Sequence, residues 1–179
     1  MDTHITSSNK KIIIRRPNED DAANVIAYAK ILFASTDQVL TTLEEYTITL
    51  EEEKTWISNA LNNATAIILI AEHDGQVIGL LDFSAKNKKK IAHIGELGVS
   101  VHPGWQGNGV GQKLIETLLA WATENGQIEK VFLNVLSTNQ KAINLYKKLG
   151  FTEEGRHINA IKQLTGEYVD LIQMYIETK

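Results

Sequence analysis

The chain contains no cysteine. That excludes disulfides, thiolate metal sites and any acyl-cysteine intermediate on this chain, so an acyl transfer performed here is expected to be direct. Proline is almost absent: Pro17 and Pro103 are the only two, and each marks an element boundary. No run is apolar and long enough to read as a membrane-spanning helix, and residues 1–10 lack the apolar centre of a signal peptide. The expectations are no membrane partner and a cytoplasmic location. Eighteen Lys and Arg against 22 Asp and Glu give a net charge of −4, without the global basic field that nucleic-acid binding uses. The one dense basic run, residues 86–90, reads as a solvated loop. No His, Asp or Glu grouping has metal-ligand spacing, so no metal is expected. The 43% hydrophobic share suits one globular domain over residues 1–179.

What is present alternates between strand and helix patterns. Residues 11–16 are a β-branched first strand. Asn18 is the expected cap of a helix carrying Val25, Ile26, Ala29 and Phe33. Residues 35–46 have no period and read as a loop. Thr49 with Glu52 forms a capping box for a second helix through Trp56, Ile57 and Leu61. Strands follow at 64–72 and 76–84, joined by the turn His73-Asp74-Gly75-Gln76. A further strand at 91–101 leads to a glycine-rich turn and a helix over 111–125. Then come a strand at 131–136, a short helix at 139–149 that Gly150 ends, and closing strands at 151–156 and 168–176.

The glycine-rich turn is the most informative feature. Gln106-Gly107-Asn108-Gly109-Val110-Gly111 packs three glycines into six residues between a strand and an amphipathic helix. Backbone N–H groups in such a turn converge, and the helix N-terminus adds partial positive charge, which makes an anion site suited to a pyrophosphate. The turn lacks the Gly-Lys-Ser/Thr ending of a P-loop and the spacing of a dinucleotide fingerprint. What remains is Q-x-x-G-x-G at Gln106, Gly109 and Gly111, followed about thirty residues later by 139–151, N-Q-K-A-I-N-L-Y-K-K-L-G-F.

This pair of motifs resembles the GNAT superfamily of acetyl-CoA-dependent N-acetyltransferases. The resemblance is clear over 91–151. It implies an α/β (α+β) fold with a mixed, mostly antiparallel central sheet flanked by helices, and acetyl-CoA as co-substrate. It implies a pyrophosphate on the N–H groups from Gln106 through Gly107, Asn108, Gly109 and Val110 to Gly111. The pantetheine arm then lies beside Leu97, Gly98, Val99, Ser100 and Val101, in a gap between two splayed strands. Asn139 sits beside that arm, Ala142 and Tyr146 line the thioester end, and Lys148 or Lys147 reaches the adenosine phosphates.

Amine acetylation needs a neutral amine, a stabilised oxyanion and a proton for the leaving thiolate. By resemblance Tyr146 supplies the proton and a main-chain N–H near 97–99 the oxyanion contact. Glu96 is the candidate base, with a salt-bridged glutamate at a sheet margin as the other reading; His93 and His102 are weaker candidates. Where protein N-terminal acetyltransferases of this group often carry Leu-Glu-Val, this chain has Leu133-Asn134-Val135, and Asn134 cannot act as a base. Substrate choice is expected in 33–50 and 157–166. The acids Glu44, Glu45, Glu51, Glu52 and Glu53 would suit a cationic amine, or serve only as a helix start. The reading is an N-acetyltransferase for a primary amine, of a small molecule or a peptide; dimers are common in the family. The alternative is a CoA-binding sensor or interaction module without turnover.

Overall fold

One eight-stranded sheet organises the computed structural model, which describes residues 2–179. Its strands are β1 (Asp2–Ile5), β2 (Lys11–Arg15), β3 (Ala66–His73), β4 (Gln76–Ala85), β5 (Ile94–Val101), β6 (Lys130–Leu136), β7 (Thr152–Lys162) and β8 (Tyr168–Glu177). Four helices accompany them: α1 (Ala22–Ser35), α2 (Leu50–Leu61), α3 (Val110–Asn125) and α4 (Gln140–Lys148). The spatial order is β1-β2-β3-β4-β5-β6-β8-β7, and every neighbouring pair is antiparallel except β5 with β6. This is the mixed, mostly antiparallel sheet expected from the sequence.

Local chemistry fixes most element ends. Asn18 caps a short 3-10 turn that runs into α1, with Asp21 closing a capping box. Thr49 and Glu52 close a second box at α2. Asp74 and Gly75 both take positive φ, +47° and +78°, the geometry that suits a two-residue hairpin between twisted strands. β3 is buried on both faces over its first six residues, because helices cover the sheet on both sides.

Pairing decides which face each residue takes. Leu80, Asp82 and Ser84 of β4 lie opposite Ser100, Gly98 and Glu96 of β5. This face carries α1 and α2, through Val25, Tyr28 and Leu32 against Ile70 and Val77, and through Ile57 against Ala22 and Ile68. The other face holds the main core, where Leu81, Phe83, Leu97, Leu133 and Met174 meet Leu114, Ile115 and Leu118 of α3. Arg15 ties the α1 entrance to the sheet, with Nη1 on Asp21 Oδ2 at 2.7 Å and Nη2 on Glu72 Oε2 at 2.6 Å.

Several boundaries differ from the sequence expectations. Residues 2–5 add an eighth strand at the β2 edge, a pairing that only the folded sheet supplies. Strand β5 begins at Ile94, because Lys89–Ile91 form a 3-10 turn. In α2 Ile57 is fully buried, whereas Trp56 and Leu61 are 37% and 42% exposed. The segment expected as a loop over 157–166 is strand as far as Lys162, with its register shifting between His157 and Ile161.

Candidate active site

The glycine-rich turn at 106–111 has the left-handed glycine conformations that its sequence implies. Gly107 and Gly109 have φ of +76° and +83°, and a Cβ at either would meet nothing within 4 Å. These glycines are therefore required by conformation, and the space above them is open. Asn108 Nδ2 donates to Gln106 O at 3.2 Å, and Gln106 Nε2 donates to Val101 O at 3.4 Å, so both side chains brace the loop. Val110 is buried in the core as the first residue of α3, leaving only its backbone at the turn. Gly111 differs from the expectation that a side chain there would meet the pyrophosphate. Its Cβ would lie 3.4 Å from Val101 and 3.5 Å from Leu145, at ordinary contact distances, so a side chain there would face β5 and α4. Lys148 Nζ donates to Gln112 Oε1 at 3.1 Å, which brings its charge to the first turn of α3. A sixteen-residue helix with an open, positive-φ entry fits a diphosphate.

The gap for an extended arm is also present. β5 and β6 pair only from Ile94↔Lys130 to Glu96↔Phe132. Beyond Glu96, β5 remains on β4 while β6 remains on β8, so the two strands separate. Lys86 N donates to Ile94 O, and His102 N donates to Ile78 O, which turns the even-numbered backbone groups of β5 toward β4. By alternation Val99 directs its N–H and C=O into the gap. Within the 97–101 segment Val99 thus presents main-chain groups on the side from which β6 has separated.

Helix α4 aims Tyr146 into the core. Asn139 is its N-cap, its side chain accepting from Ala142 N at 3.2 Å. Ala142 and Tyr146 then share a helix face. Tyr146 is 7% exposed, with its ring 5.8 Å from that of Phe151. Burial pushes its hydroxyl up to about 12, so it stays protonated and able to donate at neutral pH.

Opposite Tyr146, the α1/α2 face of the sheet is polar along β4 and β5. Glu96 Oε2 pairs with Lys86 Nζ at 2.9 Å, and Oε1 accepts from Asn134 Nδ2 at 3.0 Å. Lys86 comes from the basic run that reads as a solvated loop; the β4–β5 register returns it to Glu96. Tyr28 donates its hydroxyl to Ser100 Oγ at 2.8 Å. Asp82, in the middle of an apolar strand, faces Gly98, and burial together with the nearby Glu96 charge raises its carboxyl to about 6. Neither Tyr28 nor Asp82 stands out in the sequence. The only signal was one carboxylate within the apolar run Val77–Phe83.

The two segments expected to choose the substrate meet. Gln163 Nε2 donates to Asp37 O at 3.3 Å, and Thr138 Oγ1 donates to Gln38 Oε1 at 3.1 Å. The acids of the first segment are mostly structural. Glu45 and Glu52 cap turns at Thr42 and Thr49, and Glu51 pairs with Lys54. Among the described residues no helix is long and apolar enough to cross a membrane.

Comparison with known proteins agrees with this geometry. Residues 32–151 match the Acetyltransferase (GNAT) family. The L-amino acid N-acetyltransferase AaaT of Escherichia coli (strain K12) is 30% identical over 106 residues, which cover 59% of this chain and 65% of that protein. The chain thus spans just under two thirds of this relative's length. The crystal structure of a GNAT-family acetyltransferase from Streptococcus pneumoniae superposes with a TM-score of 0.90 at 27% identity, covering 93% of this chain and 99% of that one. The structure of yncA from Salmonella typhimurium with its cofactor acetyl-CoA shares the fold, with a TM-score of 0.83 at 23% identity over 94% of both chains. On a family match that takes in more than half of its residues, together with the shared fold, the chain belongs to the GNAT family of acetyltransferases.

Proposed function

We propose that the protein moves the acetyl group of acetyl-CoA directly onto a primary amine, of a small molecule or a peptide. Three features support the reading: the open glycine turn, the separation of β6 from β5 beyond Glu96, and the buried Tyr146 hydroxyl. Acetyl-CoA, when bound, supplies an activated thioester carbonyl. The residues from Gln106 to Gly111 hold its diphosphate, with Lys148 adding positive charge at the first turn of α3. Val99 pairs with the arm and places an N–H at the carbonyl oxygen as it gains charge. Tyr146 gives its proton to the sulfur that leaves. Glu96, fixed by Lys86 and Asn134, keeps the opposite face negative and collects the amine as a cation. The amino-acid specificity named for the E. coli relative supports an amine acceptor.

The test is thiol release from acetyl-CoA against a panel of peptides, polyamines, amino acids and aminoglycosides, beside thermal unfolding with and without acetyl-CoA. At 100 times its dissociation constant the ligand should add about 2.7 kcal/mol of stability. A chain of this size then melts about 5–10 °C higher. No shift would remove the cofactor site; a shift without thiol release from any amine would favour a binding module.

A further inference from the structure

Asp82 lies on the α1/α2 face of the sheet, and among the described residues no side chain hydrogen-bonds or pairs with its carboxylate. The neighbour across the β4–β5 ladder is Gly98, and a Cβ there would come within 2.6 Å of Asp82 Oδ1. Only glycine at that position leaves the carboxylate uncovered beside the strand that carries Val99. On its other side Asp82 borders a cleft of about 180 Å³ beneath α2, with Trp56, Asn59 and Asn63 among its walls. No Lys or Arg lines that cleft.

We propose that Asp82 is the catalytic base that takes the proton of the acceptor ammonium, and that the cleft under α2 receives an acceptor lacking a carboxylate. The proposal rests on the acetyl-transfer reading above and names the substrate class of the same site. In the step, one N–H bond of the ammonium breaks and its proton bonds to an Asp82 oxygen, leaving the nitrogen lone pair free. The lone pair forms the C–N bond at the thioester carbonyl, and the C–S bond breaks. The sulfur takes the Tyr146 proton, and the second proton lost by the nitrogen restores Tyr146. Asp82 then releases its own proton to solvent, so one proton leaves per turnover.

Charge selects the acceptor. A cation gains from Asp82 and from the face of Trp56, while Asn59 and Asn63 offer neutral hydrogen bonds. A carboxylate on the acceptor would meet Asp82 and Glu96 with no free cation in the cleft, since Lys86 is already held by Glu96. The charged and titratable groups around Asp82 are few. Glu96 comes from β5, Lys86 follows β4, and α1 contributes the Tyr28 hydroxyl, already bonded to Ser100. On the cleft wall α2 presents Trp56, Asn59 and Ala60, with Asn63 just beyond it, none of which titrates, and β3 presents Ala66 and Ile68; one turn before Ile57, α2 also buries Glu53, whose carboxyl burial raises. A carboxyl raised to about 6 in this setting is a far better proton acceptor near neutral pH than an ordinary aspartate.

The experiment measures thiol release by the full chain with 1,5-diaminopentane, L-phenylalanine amide and L-phenylalanine, for wild type, Asp82→Asn and Asp82→Glu. The expected wild type turns over the diamine and the amide with kcat/KM at least tenfold above the free amino acid, with an acid limb near pH 6. Asp82→Asn should lower kcat by about 10²–10⁴-fold, remove that limb and keep the acetyl-CoA melting shift, while Asp82→Glu restores part of the rate. Wild-type preference for the free amino acid overturns the substrate class. An Asp82→Asn rate within twofold of wild type, or an unchanged limb, overturns the base while leaving the acetyl-transfer reading intact. No release by wild type from any of the three amines, despite the melting shift, overturns both.

Discussion

Replacing Tyr146 with Phe separates proton donation from packing at one position. The residue is buried with its ring against Phe151, and the substitution leaves that contact in place. Among the described residues the hydroxyl has no hydrogen-bond partner, so no internal hydrogen bond is lost with it. Folding stability should therefore stay within about 1 kcal/mol, or about 2–4 °C in Tm. The affinity for acetyl-CoA should hold, because the phosphate turn and the β5 edge are untouched. The leaving sulfur, in contrast, loses its acid, which should lower kcat by about 10²–10⁴-fold. At 1.36 kcal/mol per decade, that is about 2.7–5.4 kcal/mol of barrier. Alkaline unfolding supplies an independent readout. A hydroxyl raised from 10 to about 12 contributes stability that is complete below pH 10 and lost as pH rises toward 12. Tyr146→Phe removes that loss, so the variant should gain on wild type between pH 10 and 12, with Tyr28 giving the same background in both. The assay is thiol release at saturating acetyl-CoA beside calorimetric binding. A rate within twofold of wild type would mean that water or the substrate protonates the sulfur, and the assignment of Tyr146 would fall.

Gly109→Val should cost about 1–3 kcal/mol through its positive φ alone, since its Cβ meets no neighbour, and should abolish acetyl-CoA binding; a folded variant with unchanged affinity by calorimetry would refute the phosphate-turn reading. Glu96→Gln should leave stability nearly unchanged, because its pairing with Lys86 is largely solvated. The variant should raise KM for a cationic amine with kcat little altered, and move the acid limb below pH 6 as the charge beside Asp82 disappears; an unmoved limb and KM would exclude Glu96 from the site. Asp21→Asn should destabilise by less than the roughly 3–5 kcal/mol of a stripped buried pair, because Glu72 still holds Arg15. The Arg15 hydrogen bond lowers the Asp21 carboxyl, so its contribution is present above about pH 4 and lost as pH falls through the lowered value. Urea unfolding at pH 7 and pH 3 checks this: the gap between wild type and variant should narrow in acid.

Much of this protein was determined along the chain itself. The glycine turn, the caps at Asn18 and Thr49, the hairpin at Asp74-Gly75 and the helix face of Ala142 and Tyr146 are local. Each depends on one residue's φ preference, on a side chain reaching three residues ahead, or on helical spacing, so they can be read without the fold. The motif pair also carried the family. Tertiary structure decided what depends on register. The pairing of β4 with β5 carries Lys86 to Glu96 across ten residues and sets Asp82 against Gly98, and no spacing rule joins either pair. The strand at residues 2–5 exists because the β2 edge offers unpaired backbone groups, and its own residues form no strand pattern. The separation of β5 from β6 likewise follows from competition, as β4 and β8 each retain their partner past Glu96. The chain therefore announced where a glycine turn opens a helix, and the sheet decided which carboxylates share a face, because a sheet face is shared by strands that are distant in sequence.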